Sequence, residues 1–148
     1  MTVTAWTRAL AVLALVVMLA GCASMSGSGM SLFDQLGGMD QVRSLASAFV
    51  DNAARDGRTS SLLSNANLGS LKAKVSDQFC AMIGGGCKAP LTSAQIAQAG
   101  QKVDAQTSSA LTDSLGKALD AVRANPAVKE GVTKLLGPQL GGIVAGLL

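Results

Sequence analysis

The chain has 148 residues, a formal net charge of +3 and no histidine, and aromatic side chains make up 3% of it. A chain of this length can form one small domain, and so small a net charge, without a block of like charges, is no basis for nucleic-acid binding. Without histidine no imidazole can act as a general base or activate a serine, and no Gly-x-Ser-x-Gly elbow occurs. We therefore expect a protein that is not an enzyme.

The N-terminal region resembles a bacterial lipoprotein signal. Arg8 precedes the apolar run 9–20, which is too short to span a bilayer comfortably and ends in small residues. The run closes with Leu19-Ala20-Gly21-Cys22, and in such signals the cysteine is acylated and becomes the first residue of the mature chain. We expect residues 1–21 to be a signal peptide and Cys22 to be lipidated. A signal cut elsewhere would leave Cys22 an ordinary thiol.

Lipidation of Cys22 would attach the protein to the bacterial cell envelope. Two or three acyl chains hold a protein stably, whereas a single chain gives only marginal binding. Ala23 after the cysteine fits sorting to the outer membrane, facing the periplasm, in a Gram-negative source. Residues 22–31 are rich in Gly and Ser and predict a flexible tether. The expected partners are the membrane, through the lipid, and an unknown envelope protein or apolar ligand.

Two further cysteines, Cys80 and Cys87, flank three glycines. In an oxidising compartment two neighbouring cysteines usually pair, so we predict a disulfide that bridges the turn 84–86. Closing so short a loop stabilises a fold by roughly 2–3 kcal/mol in the chain-entropy model. The alternative is a redox-active or metal-binding pair. It is disfavoured because the spacing is not Cys-x-x-Cys and no other soft ligands accompany the pair, so no metal site is expected.

From Leu32 onward, apolar residues recur at helical spacing and no alternating strand pattern competes with it. The sequence therefore predicts one all-α domain over residues 32–148. A short first turn ends at Gly37-Gly38, which breaks the chain. The next predicted segments are a helix over 39–55, a Gly-, Ser- and Asn-rich loop over 56–67 and a helix over 68–82.

Cap motifs mark where the later helices begin. In chain order they are Thr92 with Gln95 for a short helix around 93–99, Asp104 or Thr107 for a helix over 106–124, and Asn125-Pro126 for the last helix. Gly137-Pro138 should bend this last helix before its apolar end. That end could lie on a membrane surface, but it is too short to span and lacks a basic face, so packing in the core is favoured.

The order of these signals resembles the group 1 truncated haemoglobin family. The opening, Ser31 to Gly38, is similar to the family's Ser-Leu-Tyr-x-x-Leu-Gly-Gly. The stretches that follow in the family's order are Ala48-Phe49-Val50-Asp51-Asn52, Leu71-Lys72-Ala73-Lys74, Asp77-Gln78-Phe79-Cys80 and Ala97-Gln98-Ala99-Gly100, the last where such globins carry Ala-His-Ala-Gly. The resemblance covers residues 31–144 and is nearest to exported members with a cysteine on each side of a diglycine.

This resemblance implies a fold and a cofactor. The fold would be a two-over-two helical sandwich, made of the helix pair 39–55/68–82 and the pair 106–124/126–145. The family places a haem between the pairs and binds oxygen or other diatomic gases at its iron, and some members oxidise nitric oxide.

At the positions where the family carries its site residues, this chain has residues that cannot perform the family's chemistry. The proximal iron ligand falls on Gln98, and a carboxamide is a poor axial ligand beside His, Cys, Met or Tyr. The distal tyrosine falls on Val50, and the distal polar position of the second helix falls on Val75, with Leu71 near it. We therefore predict a haem-free globin scaffold that serves as a non-catalytic binding or structural module and needs no cofactor.

The alternative is that haem is still held in the apolar cleft by hydrophobic contact and a substitute ligand. The candidate ligands are Met82, Lys102, Met39 and Gln98 itself. Lys72 and Lys74 could meet the haem propionates, or they could be solvated charges on a helix face.

Overall fold

The structure is a computed structural model that describes residues 29–148. The predicted signal peptide, Cys22 and most of the predicted tether lie outside the described residues. Within residues 29–148 the chain is helical and has no strand. Its elements are α1 (Leu32–Leu36), α2 (Met39–Arg55), α3 (Ser60–Leu63), α4 (Leu68–Met82), α5 (Ser93–Gly100), α6 (Ala105–Ala121), α7 (Pro126–Leu136), a 3₁₀ turn (Gly137–Gln139) and α8 (Leu140–Leu147).

Polar side chains cap the starts of five of these helices. Each accepts a hydrogen bond from the backbone N–H three residues later, which satisfies a donor that has no partner inside the helix. The caps are Ser31, Asn67, Thr92, Asp104 and Asn125. The capping box of Thr92 and Gln95 is confirmed, and so is Asn125 with proline at the first helical position.

Two predicted boundaries are wrong. The segment 56–67 is not entirely a loop, because α3 forms within it where Leu63 is buried and Thr59 donates a hydrogen bond to the carbonyl of Ala53. The helix predicted to reach residue 124 ends at Ala121. It stops because Arg123 takes a left-handed φ of 56° and turns the N–H of Ala124 back to the carbonyl oxygen of Leu119 at 3.0 Å.

The helices form two pairs that share one core. Helix α2 packs against α4 and α6, while α8 packs against α4, α5 and α6. The rings of Phe49 and Phe79 are fully buried where α2 meets α4, with their centroids 5.6 Å apart. The first pair is α2 with α4, and the second is α6 with the last helix, which the 3₁₀ turn divides into α7 and α8.

The C-terminal end of the chain is part of this core. Gly137-Pro138 interrupts the last helix, as predicted, and α8 resumes after the 3₁₀ turn. Its buried residues include Leu140, Ile143, Val144 and Leu147. Core packing of this apolar end is thus confirmed. Among residues 29–148, no helix is both long enough and apolar enough to cross a membrane.

Candidate functional site

Helix α5 carries the position of the family's proximal iron ligand. Ile96 is its buried residue, at 5% exposure, and packs into the shared core. Gln98 lies two residues later, about 200° further around the helix. It is accordingly exposed, and its amide points away from the core. The structure does not bring Gln98 together with the other predicted cleft residues.

The former distal positions lie in the core. Val50 on α2 and Leu71 and Val75 on α4 are 1%, 3% and 0% exposed and belong to one hydrophobic cluster. Their side chains offer only hydrocarbon, so none of them can donate a hydrogen bond to a bound diatomic ligand. The three residues that the sequence predicted for an apolar distal side therefore do lie together, but they form part of the close-packed core.

Helix α8 connects the two sides of the family's cleft, because it packs against both α4 and α5. Against α4, the Lys74 Nζ donates a hydrogen bond to the carbonyl oxygen of Leu147 at 3.3 Å, and Leu147 is 6% exposed. Against α5, a Cβ atom at Gly142 would overlap the carbonyl oxygen of Ile96. Only glycine permits this backbone-to-backbone approach. The chain's own last helix thus lies against both walls.

Gln78 is a site residue that the sequence reasoning missed. It is 1% exposed in α4, on the same stripe as Val75. Its Oε1 accepts a hydrogen bond from the N–H of Leu91 at 2.9 Å, and its Nε2 donates to the Leu91 carbonyl at 3.4 Å. This two-point contact ties the segment before α5 to α4. A lone amide within an apolar stripe was the signal that could have identified it.

The candidate substitute ligands are spread over the molecule. Met82 lines a cavity of about 380 Å³ beside α5, together with Gln78, Leu91 and Ile96. The sulfur of Met39 lies 4.0 Å from the Cys87 sulfur. Among the candidate iron ligands, Met82 thus lines a cavity next to α5. The structure does not bring it together with Met39.

The three lysines that the sequence proposed for a haem site include one candidate iron ligand and two candidate contacts for the propionates. Lys102 is exposed beyond the end of α5. The Lys72 Nζ forms an ion pair with Asp51 Oδ1 at 2.8 Å, and Lys74 is committed to the end of α8. Lys72 is thus already paired with a carboxylate, whereas Lys74 is exposed and its ammonium contacts a backbone carbonyl.

Cys80 and Cys87 are joined by a disulfide, with their Cα atoms 5.6 Å apart. Cys80 is fully buried in the last turn of α4, and Cys87 is half-buried. Within the bridged loop, a Cβ atom at Gly85 would overlap both the Cys80 sulfur and the ring of Phe33. The loop therefore presses against α1, which opens the domain.

Perturbed carboxylates lie far from the cleft, at the junction of the turn after α2 with α6. Hydrogen bonds from the side chain and the backbone N–H of Arg58 lower the pKa of Asp56 from 3.8 to about 2. Arg58 Nη2 lies 2.8 Å from Asp56 Oδ2 and 3.1 Å from Asp113 Oδ2. Hydrogen bonds from the backbone and the hydroxyl of Thr107 lower the pKa of Asp104. These carboxylates stabilise the fold, because each accepts a hydrogen bond from a neighbouring donor.

The residues at the cleft positions do not fit a haem. Gln98 is exposed and is not one of the usual axial ligands, while Val50, Leu71 and Val75 are packed with the core. Within residues 29–148, no group of three or more His, Cys, Asp or Glu side chains is placed to hold a metal ion.

Two crossed helix pairs, with a short helix at the proximal position, define a globin of the truncated class. Residues 31–138 match the model of the bacterial-like globin family, and the chain belongs to that family. Two mutants of truncated haemoglobin from Tetrahymena pyriformis, both in the Fe(III) form, share the fold with a TM-score of 0.65 and 17% sequence identity. Each match covers 72% of this chain and 92% of the other. No curated protein sequence matches this chain.

Proposed function

We propose that this chain is a lipid-anchored globin of the bacterial envelope that binds no haem and serves as a non-catalytic binding or structural module. One observation carries the proposal: Val50, Leu71 and Val75 are packed within the hydrophobic core, while Gln98 is exposed. Gln98 is not one of the usual axial ligands, and the three apolar side chains can donate no hydrogen bond to a bound gas.

The physical basis of the proposal is that the core needs no cofactor to be complete. Here the residues at the distal positions are packed by protein side chains. Close packing of this kind is the main source of stability for a helical domain. We therefore expect the protein to fold cooperatively without any ligand.

The proposed location rests on the sequence. Leu19-Ala20-Gly21-Cys22 supports lipidation at Cys22 and attachment to the outer membrane facing the periplasm. The disulfide between Cys80 and Cys87 is compatible with that oxidising compartment. The likeness to the group 1 truncated haemoglobins supports descent from a gas-binding ancestor, with the site lost by replacement of all three chemical positions.

A second candidate function is haem binding through a different ligand. It is favoured by Met82, because a thioether is an accepted axial ligand and this side chain lines a cavity beside α5. On this candidate the protein would bind oxygen or another diatomic gas without a histidine ligand.

Titration with haemin separates the two candidates. Without the first 22 residues the chain has no Trp and no Tyr, so its own near-ultraviolet absorption is almost nil, and bound haemin is followed by its visible absorption. We expect no saturable Soret shift, together with full helical circular dichroism and a cooperative thermal transition in the absence of haem. A one-to-one Soret shift that Met82→Leu abolishes would overturn the proposal. Met30→Leu is the matched control, since Met30 is 56% exposed and outside the core.

Membrane attachment is tested separately with the full-length gene. In cells, Cys22→Ala should move the protein from the membrane fraction to a soluble or uncleaved form. Unchanged fractionation of this variant would contradict the lipid anchor and leave the haem question untouched.

A further inference from the structure

An open groove of about 340 Å³ runs between α2 and α4. It is lined by Arg43 and Ser47 from α2 and by Lys72, Ala73, Ser76 and Asp77 from α4. None of the former distal residues lines it, so the groove is separate from the cleft discussed above. Its volume is at the small end of the range for ligand sites.

Ser76 has a buried hydroxyl without a partner. The side chain is 3% exposed, and its Oγ is the buried side-chain polar atom that makes no hydrogen bond within residues 29–148. The other buried serine in a helix, Ser114, donates to the carbonyl oxygen of Ala110 at 2.9 Å. A buried hydroxyl normally finds a partner, because an unmet one costs free energy. Since a serine side chain turns about its Cα–Cβ bond, such a turn can bring the hydroxyl to an atom that enters the groove.

The groove carries both signs of charge. Arg43 is largely exposed and is only loosely held, with its Nη1 atom 3.6 Å from Asp40 Oδ1. Asp77 is exposed, and among residues 29–148 it has no cationic group within 4.0 Å. Lys72 is already paired with Asp51. One guanidinium and one carboxylate are thus free to take new partners.

We propose that this groove binds a small zwitterion of dipeptide size, a molecule with one ammonium and one carboxylate group. The ligand carboxylate pairs with Arg43, whose planar guanidinium suits it, and the ammonium pairs with Asp77. The amide carbonyl between them accepts a hydrogen bond from Ser76. A simple anion or a simple cation satisfies only one of the two free charges, and an apolar molecule satisfies neither.

The test is a nuclear magnetic resonance titration of the full chain in detergent micelles with L-alanyl-L-alanine. We expect saturable shifts centred on Ser47, Ala73 and Ser76. Losing one hydrogen bond typically weakens binding about three- to tenfold, which is the effect expected for Ser76→Ala, and Arg43→Gln should weaken binding at least as much. The matched controls, Ser109→Ala and Lys134→Gln, change exposed residues that do not line the groove and should leave affinity unchanged.

Propionate and ethylamine, titrated alone, test the need for both charges. Each should bind at least tenfold more weakly than the dipeptide. The proposal is overturned if no saturable shift occurs, if propionate alone binds as tightly, or if Ser76→Ala and Arg43→Gln bind like the unmodified chain. Thermal unfolding of Ser76→Ala keeps the result interpretable: removing a hydroxyl without a partner should leave the transition temperature equal or higher. None of these outcomes depends on the haem titration, since the groove residues varied here, Arg43 and Ser76, are neither candidate iron ligands nor former distal residues.

Discussion

The backbone N–H of Phe33 donates a hydrogen bond to the carbonyl oxygen of Ile83 at 3.1 Å, which joins the first helix to the loop closed by the disulfide. The Phe33 ring lies against Gly85 in that loop, where no Cβ atom would fit. The loop and α1 therefore support each other. The bridge between Cys80 and Cys87 holds not only its own turn but also the point at which the chain enters the domain.

Replacing Cys87 with serine should therefore loosen α1 as well as lower stability. Opening a bridge of this loop length costs about 2–3 kcal/mol in the chain-entropy model. Hydrogen exchange at the Phe33 amide should accelerate more than exchange at amides in α6. Chemical denaturation checks the size of the effect: a dithiol reductant should lower the stability of the unmodified chain and leave that of Cys87→Ser unchanged. Equal stability of the two proteins under oxidising conditions would contradict the prediction.

The contact of α5 with α8 predicts that Gly142→Ala is destabilising although alanine favours helices. The added methyl group would overlap the Ile96 carbonyl oxygen, which is backbone and cannot turn aside. Overpacking of this kind costs about 1–3 kcal/mol, against a gain in helix propensity of about 1 kcal/mol. Urea denaturation should show a lower midpoint.

Gly116→Ala is the matched control for this substitution. Gly116 lies inside α6, and a Cβ atom there would meet nothing within 4 Å. It should raise the free energy of unfolding by about 0.4–1 kcal/mol. If Gly142→Ala proved as stabilising as Gly116→Ala, α8 would not be in backbone contact with α5.

The caps and the starts of the capped helices could be predicted from the sequence because their causes are local. Thr92 and Gln95 satisfy each other across three residues, and Asn125 caps a helix that begins with Pro126. Helix α3 was missed because its four residues show no apolar stripe of their own, and only the burial of Leu63 explains it.

The arrangement of the candidate site could not be predicted in the same way. The motif around Gln98 correctly places a helix there, but the orientation of that helix is fixed by Gly142, far along the chain. Likewise, the contact of Lys74 with Leu147 joins residues 73 positions apart. Periodicity along the chain carries no information on contacts between residues so far apart. A family resemblance can supply such contacts, but the site residues of the family are the ones that this chain replaces.

The two glutamines of the site should respond in opposite ways to the same substitution. Gln78→Leu should lower the free energy of unfolding by about 1–3 kcal/mol, because the N–H of Leu91 would be left without its partner. Gln98→Leu changes an exposed side chain and should alter stability by no more than about 0.5 kcal/mol. Denaturation curves of both variants check this. A large loss for Gln98→Leu would indicate that this residue lies in the core after all.

Stability in acid should depend on the pair of Asp56 and Arg58. The pKa of Asp56 is lowered from 3.8 to about 2 in the folded chain, so its carboxylate binds a proton more readily once the chain unfolds. A lowered folded-state pKa contributes stability that is fully present above pH 3.8 and is lost as the pH falls toward 2. The thermal transition of the unmodified chain should therefore drop across this interval.

Two variants test the assignment of that acid sensitivity. Asp56→Asn removes the titrating group, and Arg58→Gln removes the donors that lower its pKa. Both should be less stable than the unmodified chain at neutral pH, and the difference should shrink as the pH falls through the interval. Thermal melting at a series of pH values measures it. A difference that stays constant down to the lowest pH would mean that the turn after α2 is held to α6 without the charge on Asp56, for example by the hydrogen bond that the Thr107 hydroxyl donates to the Arg58 carbonyl oxygen at 3.3 Å.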